Sequence, residues 1–354
     1  MKKTIGIVGS GIMGLLIGYA FSKLGHQVTI FEKNSRDNFK NCSMTAAGML
    51  SPYSELIHSD KKIFDLGYDS LERWKKIIRE LKKKVYFQTK GSLIVADKDH
   101  ENELESICIR TNEYTKSKFK IISNKKIRSL EPDIDSTNLI GLFFNKEGQI
   151  DTKQIMIELS EFILKKGSII NFNSHVKQIK NHEISLSNKK KIKFDFVVEC
   201  CGLGTFSNKD KIRGVRGEII EVLAPEIKIS RPIRLNHFRY PVYITPREDY
   251  KYLIGASEIE SEDFSPVSIR SAIELLNSSL VISKKFSEAR ITALSNNCRP
   301  AFFDNLPKIR INDDYISANG LFRHGYLLSP IISDLVVQYC LKDIKDKDLY
   351  YIYN

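Results

Sequence analysis

Gly9-Ser10-Gly11-Ile12-Met13-Gly14 places three glycines at the spacing of a loop that carries phosphates. In such a loop the first glycine makes a tight turn and the second lets the backbone approach a pyrophosphate. The third lets a helix pack closely on a strand. Ile12 and Met13 lie at the entry to that helix, whose unpaired N–H groups and positive dipole end attract anions. Glu32 lies 18 residues beyond Gly14, where a carboxylate accepts hydrogen bonds from a ribose diol, and Lys33 follows it. The combination specifies a dinucleotide and leaves NAD and FAD open. It argues against NADP, whose extra phosphate Glu32 would repel.

These residues need a βαβ unit to hold them, and the flanking sequence supplies one. Thr4–Val8 is a short apolar strand, Met13–Leu24 reads as a helix stopped by Gly25, and Gln27–Phe31 is a second strand ending at Glu32. A loop from Ser35 to Thr45 leads to Ala46-Ala47-Gly48, then to a helix around Leu66–Lys84. Tyr86–Ala96 reads as a strand and Glu101–Lys116 as a helix. Asp151, after Gly148-Gln149-Ile150, is the N-cap of another helix. Phe194–Cys201 is an apolar run ending in Gly202-Leu203-Gly204, as a buried parallel strand entering a tight turn would. Glu218–Leu223, Val242–Pro246 and Tyr252–Ala256 read as antiparallel strands. Tyr315–Ala318 and a final helix, Ser329–Leu341, return to the α/β texture.

At 354 residues the chain exceeds a usual single core, so two intimately packed domains are expected. The α/β pieces at the start, middle and end form one domain interrupted by a second. The division is 1–85, 145–215 and 299–354 against 86–144 and 216–298. A formal net charge of +12 raises the question of nucleic acid, but the lysines are spread along the chain. The cluster Lys75–Lys84 falls on an amphipathic helix and Lys189–Lys193 on a hairpin tip, which argues against a nucleic-acid patch. The six cysteines form no CxxC pair and no zinc spacing, Cys200-Cys201 reads as buried thiols, and a reducing, cytoplasmic setting is expected. No metal site and no membrane-spanning run is apparent. The glycines near the N-terminus favour the nucleotide loop over a secretory leader.

Several distant segments decide the cofactor. Thr45-Ala46-Ala47-Gly48-Met49-Leu50, Cys298-Arg299-Pro300 and Asn319-Gly320-Leu321-Phe322-Arg323-His324-Gly325-Tyr326-Leu327-Leu328-Ser329-Pro330 together resemble the D-amino-acid oxidase superfamily of flavoproteins. The bacterial glycine oxidase branch is the most similar. The likeness runs from end to end but is faint between Val85 and Ile140. It implies a Rossmann-like FAD-binding domain interleaved with an α+β substrate domain on a largely antiparallel sheet, and non-covalent FAD. In that frame Ala46, Ala47, Gly48 and Met49 pass beside the flavin and Val176 lies near the adenine. Cys201 and Gly202 lie near ribose and pyrophosphate. Gly320, Leu321, Arg323, His324, Gly325, Tyr326 and Leu327 lie by the pyrimidine end.

For the substrate the resemblance implies that Arg299 grips a carboxylate, aided by the Tyr243 hydroxyl, with Arg323 and Met49 close by. Arg299 also stands between Cys298 and Pro300-Ala301, an unusual place for a merely solvated charge. The chain departs from the family pattern at Glu258, where methionine is usual, at Pro241, where histidine is usual, and at His324, where asparagine is more common. A carboxylate at 258 would suit a cationic or hydroxylated substrate group. The implied reaction is oxidation of glycine, sarcosine or a small D-amino acid by hydride transfer to flavin, then imine hydrolysis and reoxidation by O2. A homo-oligomer is expected. Alternatives are a dehydrogenase with another electron acceptor, a flavoprotein acting on an N-substituted glycine in tRNA, and a non-catalytic flavin subunit.

Overall fold

The computed structural model describes residues 1–37, 41–56, 59–134, 137–206, 211–236, 242–311, 315–342 and 352–353. Thr4–Val8 lies between Gln27–Phe31 and Phe196–Glu199, all parallel, in the interior of a seven-stranded sheet among the described residues. Ile5, Ile7, Val28 and Ile30 have no exposed surface, which is why these strands read as unbroken apolar runs. The first helix, Ile12–Lys23, packs against the last, Gly325–Leu341, and both are apolar nearly all round.

The second sheet is antiparallel except where Ile233–Leu235 runs parallel to Ser92–Asp97. Its spine is the long strand Arg213–Leu223, which pairs with Lys251–Gly255 on one edge and Arg290–Ala301 on the other. Val242–Pro246 extends it beyond Lys251–Gly255. The strand expected over Tyr86–Ala96 is two strands, Phe87–Gln88 and Ser92–Asp97. Gly91 breaks them at φ +89°, a backbone state that side chains rarely adopt.

Asp151 does cap the helix Thr152–Lys165, accepting the Gln154 N–H at 2.9 Å, and Gly148–Ile150 before it is a strand. The basic amphipathic helix runs from Lys61 to Leu81, earlier than its apolar spacing suggested, because Asp60 caps it by accepting the Lys62 N–H at 2.8 Å. Cys200 and Cys201 are half-buried rather than fully buried. Their strand narrows to Phe196–Glu199, where the buried Glu199 carboxylate accepts from Ser317 Oγ (2.6 Å), Thr205 Oγ1 (3.1 Å) and the Cys201 N–H (3.2 Å).

The last helix starts at Gly325, four residues before the expected Ser329, and holds Pro330 within it. Proline there leaves the Tyr326 carbonyl without its helical donor. Trp74, on the facing helix, replaces that donor: its Nε1–H reaches Tyr326 O at 2.7 Å. Among the described residues no helix is long and apolar enough to cross a membrane.

Candidate active site

A cavity of about 880 Å³ runs from the carboxyl ends of Thr4–Val8 and Gln27–Phe31 to the face of the second sheet. That volume is near the top of the range for ligand sites, about 300–1,000 Å³. Gly9, Gly11, Ile12, Met13, Glu32 and Lys33 line one end, with Val176, Cys201 and Gly202 beside them. Thr45, Ala46, Ala47, Gly48 and Met49 line the middle, opposite Leu321 to Leu327. Arg299, Tyr243 and Glu258 line the far end.

Gly14 and Gly320 do not line it, because both are spent on close packing. A Cβ on Gly14 would stand 2.0 Å from Gly9 O, and one on Gly320 would stand 2.1 Å from the Phe302 ring. Pro241 lies outside the described residues.

The end expected to carry phosphates has the features such a guest needs. Gly9 has φ +99°, and a Cβ there would meet Cys200 O at 2.6 Å, so the loop keeps bare backbone toward the cavity. The N-cap, Gly11, brings no side-chain acceptor to the helix. Ser43 Oγ takes the Ile12 N–H at 3.0 Å, and the remaining first-turn donors suit an anion. Glu32 is buried and first fixes the loop: one oxygen accepts Ser10 N–H (3.1 Å) and Ser10 Oγ (2.7 Å), the other Asn34 N–H (2.9 Å). A carboxylate has about four acceptor positions, so one remains for a hydroxyl.

At the far end two glycines make room for two of the expected site side chains. Arg299 pairs with Val215 across the strands, and its guanidinium leans over Gly217, two residues along on the same face. A Cβ on Gly217 would stand 2.4 Å from Arg299 Nη2. Both Nη atoms donate to Ser257 O, at 3.1 and 3.2 Å. Tyr243 pairs with Gly255, where a Cβ would stand 2.9 Å from the phenol oxygen. Burial raises the Tyr243 pKa against the pull of Arg299, Arg323, Arg234 and Arg247, so the phenol keeps its proton and can donate.

Ser257 is itself held by the spine. Its Oγ accepts the Glu218 N–H at 2.9 Å and donates to Glu218 Oε2 at 3.1 Å. Arg216, paired with Glu218 at 2.8 Å, donates to the carbonyls of Asp263, Ser265 and Pro266 and pins the loop that walls the cavity mouth.

Glu55, which the sequence did not single out, organises the other arginines. It is buried, 2.8 Å from Arg234, 3.2 Å from Arg323 and 3.3 Å from His324 Nδ1, the last two not aligned as hydrogen bonds. Burial works to raise its pKa, but Arg323, Arg234 and His324 outweigh it and hold the carboxyl well below the usual range. Burial brings His324 down to about 4, with Glu55 opposing, so the imidazole is neutral at pH 7. Glu258 reaches Arg323 Nη1 at 3.3 Å and is therefore already engaged by a cation of the protein. Glu55, seven residues past Gly48 and at the end of the four-residue helix Pro52–Glu55, offers no periodic signal. Glycines inside strands, such as Gly217 and Gly255, do signal close approach and could have been found.

The model of the FAD dependent oxidoreductase family matches residues 4–339, and the chain belongs to that family. It is 30% identical over 335 residues to a putative thiamine biosynthesis oxidoreductase ThiO of Rhizobium etli, covering 95% of each chain. It superposes on the crystal structure of glycine oxidase from Geobacillus kaustophilus with a TM-score of 0.88 at 22% identity, covering 98% and 97%. An iminodiacetate oxidase from Chelativorans gives a TM-score of 0.85 at 18% identity, covering 98% of each. The cofactor is FAD.

Proposed function

We propose that the protein oxidatively deaminates a small amino acid or secondary amine, with glycine, sarcosine and D-amino acids as the substrate class. One observation carries this reading. Arg299 is a half-buried arginine on the cavity wall with no carboxylate in ion-pair range among the described residues, held flat over Gly217 by one carbonyl. Its remaining N–H groups suit a bidentate grip on a substrate carboxylate. The similarity to glycine oxidase and ThiO points the same way.

When bound, FAD supplies the acceptor for a hydride from the substrate Cα, and its electrons then go to dioxygen or another acceptor. Arg299 and the Tyr243 hydroxyl hold the carboxylate, and this positioning supplies most of the rate without a dedicated base. Loss of hydride and a proton from the Cα–N unit leaves an imine, which water hydrolyses to the carbonyl acid and ammonia or the free amine. The mostly buried Arg247–Asp151 pair (3.3 Å) fixes the cavity wall, its guanidinium donating to Ala47 O at 2.5 Å.

Anaerobic titration of the purified holoenzyme with glycine, sarcosine and D-alanine tests this reading. Bleaching of the flavin band is expected with at least one of them, and loss of it in Arg299→Ala. An unbleached band with every amine overturns it. Rapid reoxidation by air with peroxide formation selects an oxidase; slow reoxidation selects a dehydrogenase.

A further inference from the structure

We propose that Glu258 sets the charge the substrate carries: it makes the site take one carboxylate and turn away a second. This rests on the reading of Arg299 as the carboxylate anchor. Arg299, Arg323, Glu55 and Glu258 are the charged side chains lining the far end of the cavity. Glu55 is shared between Arg323 and Arg234, which stands behind it, and Glu258 faces Arg323. The two acids and these two arginines therefore cancel. Arg247, near Tyr243, is cancelled by Asp151.

The uncharged titratable side chains that line this end add nothing at pH 7. His324 is neutral, the Tyr243 phenol keeps its proton, and burial pushes the Cys42 thiol up to about 11 although Arg299 opposes this. What remains is the single positive charge of Arg299, and one substrate carboxylate neutralises it. A second carboxylate reaching toward Arg323 meets Glu258 first. It would have to displace that acid from its partner in a partly dehydrated cavity, where like charges repel strongly. Without Glu258, Arg323 would keep only its share of Glu55 and could take up a second anion. Glu258 is also the most exposed member of the cluster, its side chain 36% accessible, so neutralising it uncovers no fully buried ion.

N-Methylglycine and iminodiacetate form the probe pair, since they differ by one carboxylate on the same secondary amine. Acetate and malonate repeat the comparison without turnover, read as shifts of the holoenzyme flavin spectrum. The wild type is expected to favour the monoanion of each pair. Glu258→Gln is expected to move both preferences toward the dianion by about tenfold or more, and Glu258→Asp to keep the wild-type preference. The proposal is overturned if Glu258→Gln leaves both ratios unchanged, or if the wild type takes iminodiacetate as readily as N-methylglycine. If acetate fails to bind and Arg299→Ala changes nothing, the anchor reading itself fails, which the ratio alone would not produce.

Discussion

Gly217→Ala isolates the position of Arg299 from its presence. The backbone at 217 is not in the left-handed region, so alanine brings no conformational strain of its own. Its methyl, however, would stand 2.4 Å from Nη2, 2.6 Å from Cζ and 2.9 Å from Nη1 of Arg299. Ordinary contact begins near 3.4 Å, so the guanidinium must retreat by about 1 Å. It can do so because it is the mobile end of a long side chain, and the fold should survive with little loss of stability.

The retreat breaks the two hydrogen bonds to Ser257 O and the fork presented to the cavity. A charge-assisted hydrogen bond contributes about 1.5–3 kcal/mol, and a 1 Å misplacement alone can cost about 100-fold in rate. The expected loss in kcat/KM is therefore about 10- to 150-fold, with flavin content unchanged. Anaerobic flavin reduction at varied glycine or sarcosine concentration, beside the 450 nm absorbance per protein, measures both. A kcat/KM within about threefold of wild type, with flavin fully bound, would refute Arg299 as the anchor.

Three further outcomes follow from the structure. Gly9→Ala combines φ +99° with a Cβ 2.6 Å from the Cys200 carbonyl, neither relievable by a rotamer; the protein should elute colourless from gel filtration, and retained stoichiometric FAD would contradict this. Trp74→Phe strands the Tyr326 carbonyl and should cost about 1–3 kcal/mol in urea unfolding, but less in a Pro330→Ala background, where residue 330 regains its N–H; equal costs would show that the indole is only packing. His324 falls from its usual 6.5 to about 4 in the fold, so between these values the unfolded chain binds a proton that the folded chain refuses. Stability should be full above pH 6.5 and fall by up to about 3 kcal/mol as pH drops to 4. His324→Asn should flatten that slope, most cleanly from 6.5 to 4.5, above the range where Glu55 begins to take a proton; an unchanged urea-midpoint profile would refute it.

The elements that were legible in the sequence are those whose signal is local. Gly9 to Gly14, the strand before them and Glu32 lie within one βαβ unit, and Asp151 announces its helix within three residues. The last helix was misplaced because Pro330 resembles a boundary. The donor that allows a proline there comes from Trp74, and no window along the chain contains both. Glu55 was missed for the same reason: its partners stand at 234, 323 and 324. Arg299 was found through resemblance and an odd apolar setting, whereas Gly217, which lets it lie flat, belongs to another strand.

The spine strand Arg213–Leu223 carries Arg216, Gly217 and Glu218 in successive positions, and it pairs along most of its length with the strand that bears Arg299. Neighbouring residues of a strand face opposite sides, so inserting or deleting one residue would swap the faces of the loop clamp and the guanidinium bed together. Descendants of this chain therefore have two unequal routes to a new substrate. Point changes at the rim, with Glu258 the most accessible, can drift one at a time. The length of the spine is far less free, because a one-residue change to it would move the bed of Arg299 and its support in one step.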